Sequence, residues 1–127
     1  MLTIRLDAAE SLMEQIARGI RVLLASGSLK PNDELPTVRQ LAGDLGVNLN
    51  TVSRAYRELE EAGLVTSVRG RGTVVASNQE LLRGGKARRK RELVDRLASI
   101  FADAKLAGLS DAEVDSLVAE QRERFRE

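Results

Sequence analysis

Residues 36–63 read PTVRQLAGDLGVNLNTVSRAYRELEEAG, and the punctuation of this stretch decides the fold. Pro36 and Thr37 open a short helix. Thr37, followed three residues later by Gln40, is a capping box in which hydroxyl and amide each satisfy an orphan backbone N–H. Val38, Leu41, Ala42 and Leu45 recur at helical spacing, so the inward stripe runs from about Val38 to Leu45. Gly46 ends that helix and Val47 packs. Asn48 is placed to cap the next helix, Leu49 to Ala62, whose inward stripe is Val52, Ala55, Tyr56 and Leu59. Gly63 closes it.

Upstream, Leu12, Ile16, Ile20, Leu23 and Leu24 predict a first helix from about Ser11 to Ser26, with Glu14, Gln15, Arg18 and Arg21 on its other faces. Gly27 suits a C-terminal cap. Lys30-Pro31-Asn32-Asp33 is turn chemistry, with Asn32 at the left-handed position. Downstream, the apolar segments Leu64–Val68 and Thr73–Ala76 flank Arg69-Gly70-Arg71-Gly72, which predicts a β-hairpin with a basic, glycine-rich tip. Beyond Ser77-Asn78 the pattern is helical again. Leu93, Leu97, Ile100 and Ala104 form one stripe with Val94 and Phe101 beside it. Gly108 stops that helix, Ser110 and Glu113 form a second capping box, and Val114, Leu117, Val118, Gln121 and Phe125 form a last face. Gly84-Gly85 inside the longer helical pattern predicts a break or hinge near Gly84.

Composition removes several function classes. The 127 residues include no Cys, His or Trp. Disulfides, thiolate or imidazole metal sites and Ser-His or Cys-His nucleophiles cannot be built; carboxylates, Lys and the single Tyr could still do acid–base work, but no constellation of them stands out, so we expect no metal, no cofactor and no catalytic site. No apolar run approaches the roughly 20 residues of a membrane span, and no signal-peptide pattern opens the chain. This reads as a soluble, cytoplasmic protein with no membrane partner.

The net charge of +1 is an average over opposed patches. Arg83, Lys86, Arg88, Arg89, Lys90 and Arg91 cluster without an acid among them, and Arg69 and Arg71 form a smaller basic cluster between glycines. Acids gather at Glu58, Glu60 and Glu61 and at Asp111–Asp115.

Helix, helix, glycine turn, helix, hairpin is the order of a winged helix-turn-helix, which lays its second motif helix in the DNA major groove. The fold class is mainly α with a small β-hairpin: a winged helix over residues 1–77, then a two-helix dimerisation region over 78–127. Asn48, Asn50 and Thr51 are short, polar and at the start of the motif's second helix. Asn pairs bidentately with adenine. Arg54 lies one turn on. Thr37 and Arg39 sit at the start of the preceding helix, where backbone N–H groups favour phosphate. Gly70 and Gly72 let the wing backbone approach a duplex, Arg69 and Arg71 supply charge, and Arg fits a narrow minor groove; Thr73 follows directly. Blander readings stand beside these. Asn48 serves as a helix cap in either case, Arg-Gly-Arg-Gly is also a solvated turn, Tyr56 on the apolar stripe is core, and the 83–91 run is by default a solvated helix face. A protein-interaction or assembly module on the same fold is the alternative function; it would more often place apolar residues at Asn48, Asn50, Thr51 and Arg54.

The stretch Leu12–Ala76 resembles the DNA-binding domain of GntR-family bacterial transcription regulators. The resemblance is carried by Glu14-Gln15-Ile16, Gly27-Ser28-Leu29-Lys30-Pro31, Leu35-Pro36-Thr37-Val38-Arg39-Gln40-Leu41-Ala42, Leu45-Gly46-Val47-Asn48, Asn50-Thr51-Val52, Arg54-Ala55-Tyr56, Glu58-Leu59, Gly63-Leu64-Val65 and Arg69-Gly70-Arg71-Gly72-Thr73. The short tail and the form Val47-Asn48-x-Asn50-Thr51-Val52 with Ala55-Tyr56 resemble the YtrA subfamily, and the Gly108-Leu109-Ser110 junction fits it too. The resemblance implies a repressor that binds operator DNA as a homodimer, with Arg39, Asn48, Asn50 and Thr51 as contacts and Arg69 and Gly70 entering the minor groove. Leu49 and Ser53 depart from the family pattern: relatives often have Pro or Arg at the first position and some have Arg at the second, so the resemblance carries over no contact from either.

Two helices over 78–127 make a marginal core alone. Leu93, Leu97, Ile100, Phe101, Leu117, Val118 and Phe125 would stay wet unless a second copy covers them with twofold symmetry, or unless they fold back on the same winged helix. Twofold symmetry in turn implies a palindromic operator. There is no room for a large effector domain, so a small-molecule effector would use the dimer interface or a groove beside the winged helix.

Overall fold

The computed structural model describes residues 2–77 and 85–126. Two compact units divide the chain, Met1–Leu81 and Leu82–Glu127.

The first unit is built from α1 (Leu12–Ala25), α2 (Val38–Leu45), α3 (Leu49–Glu61), β1 (Val65–Val68) and β2 (Gly72–Val75). Each helix starts on a side-chain cap. Ser11 Oγ accepts the Glu14 N–H at 3.2 Å. Thr37 and Gln40 form the predicted reciprocal box, and Asn48 Oδ1 accepts the Asn50 N–H at 2.7 Å. Substituting such a cap by Ala costs about 1 kcal/mol. Gly46, at φ +69°, turns α2 into the three-residue link to α3. The predicted inward residues meet in one core: Ile16 and Ile20 from α1, Leu41 and Ala42 from α2, Val52, Ala55, Tyr56 and Leu59 from α3, and Val65 and Val75 from the hairpin. Val38 and Leu45 pack at its margin. Ile16, Ile20, Val52, Leu59 and Val75 are fully buried, each contributing about 1.5–3 kcal/mol of transfer free energy.

Three features differ from the sequence expectation. Gln15, assigned to a polar face, is only 3% exposed. Its side-chain amide behaves like a strand partner for the N-terminal arm: Arg5 N–H donates to Oε1 at 2.6 Å, and Nε2 donates to the Arg5 and Glu10 carbonyls at 2.8 and 2.9 Å. Leu2 and Ile4 pack on the core margin. A Cβ on Gly19 would meet the Leu2 Cδ2 methyl, so a side chain there would require the Leu2 side chain to shift. The second difference lies at residues 32–35. The turn at Lys30–Asp33 forms, with Asn32 at φ +72°, but the chain then pairs with β2. Leu35 N–H donates to the Thr73 carbonyl at 2.9 Å, Val75 N–H donates to the Asp33 carbonyl at 2.8 Å, and Glu34 bridges Val74. The wing therefore has a short third edge. The third difference is one of register: the strands pair Val65 with Val75 and Val68 with Gly72, so Gly72 belongs to β2 rather than to the tip.

The second unit contains α4 (Lys86–Leu106) and α5 (Asp111–Arg124). Gly85, at φ +83°, immediately precedes α4; Gly84, where the break was expected, lies outside the described residues. Gly108 at φ +84° turns the chain between the helices, and Leu109 N–H donates to the Ala104 carbonyl at 3.1 Å. Ser110 and Glu113 form the predicted capping box. The Ser110 backbone N–H holds the Glu113 carboxyl below its ordinary pKa.

Candidate nucleic-acid interface

The polar start of α3 is held outward by the apolar stripe on its other side. With Val52, Ala55, Tyr56 and Leu59 in the core, helical spacing leaves Asn50 and Arg54 exposed and Thr51 half-buried. Asn48 is exposed and spends one amide oxygen lone pair on its capping bond; its amide N–H₂ remains available as a donor. Arg57 continues the line of Asn50 and Arg54 and is also exposed. The sequence reading passed over it, although the 50-54-57 spacing is the signal that finds it. Thr37 and Arg39 are exposed at the start of α2.

Tyr56 sets the spacing between these two helix starts. Its hydroxyl donates to the Pro36 carbonyl at 2.6 Å, directly before the Thr37 cap. Burial pushes its phenol pKa up to about 12. The expectation of a core role for Tyr56 holds, with the added function of a brace.

At the wing, Arg69, Gly70, Arg71 and Gly72 are exposed and Thr73 is half-buried, paired with Ser67 across the hairpin. Gly70 and Gly72 have φ of +84° and +87°, and a Cβ on either would meet nothing within 4 Å. The left-handed backbone, not crowding, demands glycine here. The two wing arginines differ. Arg71 is turned back: its Nε donates to Glu34 Oε1 at 3.2 Å and its Nη2 to the Asn32 carbonyl at 2.8 Å. Among the described residues, Arg69 has no such partner, and neither do Arg39, Arg54 and Arg57. Four guanidinium groups are thus presented to solvent, at the start of α2, along the exposed face of α3 and at the wing tip. Cationic groups held this way, beside Asn and Thr side chains on a motif helix, suit phosphates and base edges.

Residues 12–75 match the family described as "Bacterial regulatory proteins, gntR family". The chain belongs to the GntR family. It is a transcription regulator with a GntR-type winged-helix DNA-binding domain, and the protein-interaction module considered above is set aside. It is 39% identical over 109 residues to the HTH-type transcriptional repressor YtrA of Bacillus subtilis, covering 84% of this chain and 82% of that protein. The YtrA-like character expected from the short tail is thereby supported across both units. Its fold is similar to that of a transcriptional antiterminator from Listeria monocytogenes, with a TM-score of 0.84 and 27% identity over 100% of this chain and 94% of that one. It is also similar to the DNA-binding domain of AraR, solved in complex with operator ORE1, with a TM-score of 0.51 and 28% identity over 60% of this chain and 93% of that one. Family and relatives alike are regulators rather than enzymes. No described helix is long and apolar enough to cross a membrane, and no group of described side chains could hold a metal ion.

The GntR regulator's second unit keeps its apolar residues outside. Leu97 is 52% exposed, Ile100 60% and Phe101 48%; Leu93, Leu117, Val118 and Phe125 are exposed as well. Of the stripe predicted for α4, only Ala104 is buried. Phe125 lies just past the end of α5, with the Arg124 guanidinium 5.9 Å from its ring centre.

Proposed function

We propose that the chain is a homodimeric repressor that binds a palindromic operator. Residues 1–77 read DNA and residues 78–127 join the two copies. Arg39, Arg54 and Arg69, exposed and without an ion pair among the described residues, carry the reading together with Asn48, Asn50 and Thr51. Phosphate contacts give affinity and salt dependence, while Arg39, Asn50 and Thr51 add sequence choice. Thr37, Gly70, Gly72 and Thr73 hold backbone close to the duplex, and Arg71 shapes the wing. The repressor role is supported by the likeness to YtrA, named a repressor, and operator binding by the likeness to AraR in its operator complex. The apolar faces of α4 and α5 support self-association: Leu93, Leu97, Ile100, Phe101, Leu117, Val118 and Phe125 are largely solvent-facing in a single chain and would be covered by a second copy. A repressor needs no cofactor in this arrangement; a small-molecule effector would act at the interface between copies or beside the winged helix.

A footprint on the DNA upstream of the protein's own gene tests the reading. Two protected half-sites about one helical turn apart, or a multiple of that, are expected. A single unpaired half-site at saturating protein would overturn the dimeric reading.

A further inference from the structure

Helix α4 begins against its own electrostatics. Lys86, Arg88, Arg89, Lys90 and Arg91 lie within its first six residues, with no acid in the first turn and no side-chain cap. The positive end of a helix dipole disfavours cations, and like charges three or four residues apart repel. Arg88 is offset by Glu92 at 3.4 Å. Lys86, Lys90 and Arg91 are exposed and have no ion pair among the described residues. The charge of Lys86, Lys90 and Arg91 at this end of the helix opposes the free helix and suits an external anion.

We infer that the first two turns of α4 are a sequence-independent phosphate clamp for duplex DNA, additional to the winged-helix contacts. The inference rests on the DNA-binding reading above. Duplex DNA is favoured over other polyanions by covalent proximity. Nine residues lie between Ala76, at the end of the wing, and Lys86, so the contour of the chain between them cannot exceed about 35 Å, the length of roughly ten base pairs. A duplex held by the wing extends at least that far and presents one charge per ~1.7 Å.

The test needs no operator, because the clamp reads only phosphate. Binding of the full chain to a mixed-sequence 40-base-pair duplex is measured across salt concentrations, for wild type and for the variant with Lys86→Gln, Lys90→Gln and Arg91→Gln. Each lost phosphate contact lowers the slope of log affinity against log salt by about 0.9. A slope reduced by about 2 to 3 per bound protomer is expected, with at least a tenfold loss of affinity at low salt and a thermal midpoint no lower than wild type. Equal slopes for the two proteins would overturn the clamp and leave the winged-helix reading intact. Absence of mixed-sequence duplex binding by wild type at low salt would overturn the clamp, while the operator footprint decides the winged-helix reading separately. Equal duplex slopes together with lost binding to phosphatidylglycerol vesicles would overturn the clamp in favour of a membrane surface.

Discussion

The Tyr56 hydroxyl donates to the Pro36 carbonyl at 2.6 Å and so couples the middle of α3 to the peptide that leads into the Thr37 cap of α2. Tyr56→Phe keeps the ring in the core and removes only this bond. We expect a loss of about 0.5–1.5 kcal/mol in urea unfolding and a larger proportional loss in operator binding, because Thr37 and Arg39 lose their fixed position relative to Asn50. Stability loss with unchanged DNA affinity would show that the brace serves folding alone.

The same residue makes an alkaline prediction. An unfolded tyrosine titrates near pH 10, whereas burial raises the Tyr56 phenol to about 12. The folded state therefore holds this proton more tightly. Its contribution is complete below about pH 10 and is lost as pH rises through about 12. The chain has one Tyr and no Trp, so phenolate absorbance reports this residue alone. A native midpoint near the unfolded value would refute the assignment, and Tyr56→Phe should flatten the alkaline fall in stability.

Gln15→Ala removes every side-chain bond that Gln15 makes to the Arg5 and Glu10 backbone. We expect destabilisation of about 1–3 kcal/mol and early proteolytic cleavage within residues 2–10. An unchanged exchange rate for the Arg5 amide would contradict the latch.

Arg69→Ala and Arg71→Ala should separate. Arg69 has no described partner, so its loss falls on DNA affinity, about 1–3 kcal/mol if it reaches a groove. Arg71 holds Glu34 and the Asn32 carbonyl; the pair is exposed, so its loss costs at most ~1 kcal/mol of stability and weakens DNA binding less. Gel-shift titrations at matched salt decide the order, and a larger effect from Arg71 would reverse the roles given to the two wing arginines. Arg39→Ala should match Arg69→Ala or exceed it.

These residues also mark what the sequence made legible. Pro36 to Gly63 could be read closely because its signals are local: two caps, two terminal glycines and a 3.6-residue stripe. Asn32 was legible for the same reason. Gln15 was not, because a pattern of apolar positions assigns a buried amide to the polar face; only the arm it binds explains it. The 32–35 edge was missed because a strand that short lacks alternation and depends on β2 for its bonds. Asn48, Asn50 and Arg54 are exposed as the helical spacing predicts, whereas Thr51 is half-buried, and the different fates of Arg69 and Arg71 depend on Glu34, a residue far away in sequence.

Leu97→Asp places a charge in the centre of the proposed interface between copies. Sedimentation should show wild-type dimers and variant monomers at micromolar concentration, with the winged-helix transition in thermal unfolding retained. Dimers of unchanged stability would remove α4 from that interface.

The segment 32–36 is gripped from two sides, by β2 through Leu35 and Val75 and by α3 through Tyr56. Wing and motif helix therefore behave as the two jaws of a caliper with a fixed gap. On a duplex, such a gauge measures the offset between a minor groove and the neighbouring major groove. Base pairs touched by neither jaw will then alter affinity through groove width and stiffness, and an operator search that scores only contacted bases will rank sites in the wrong order.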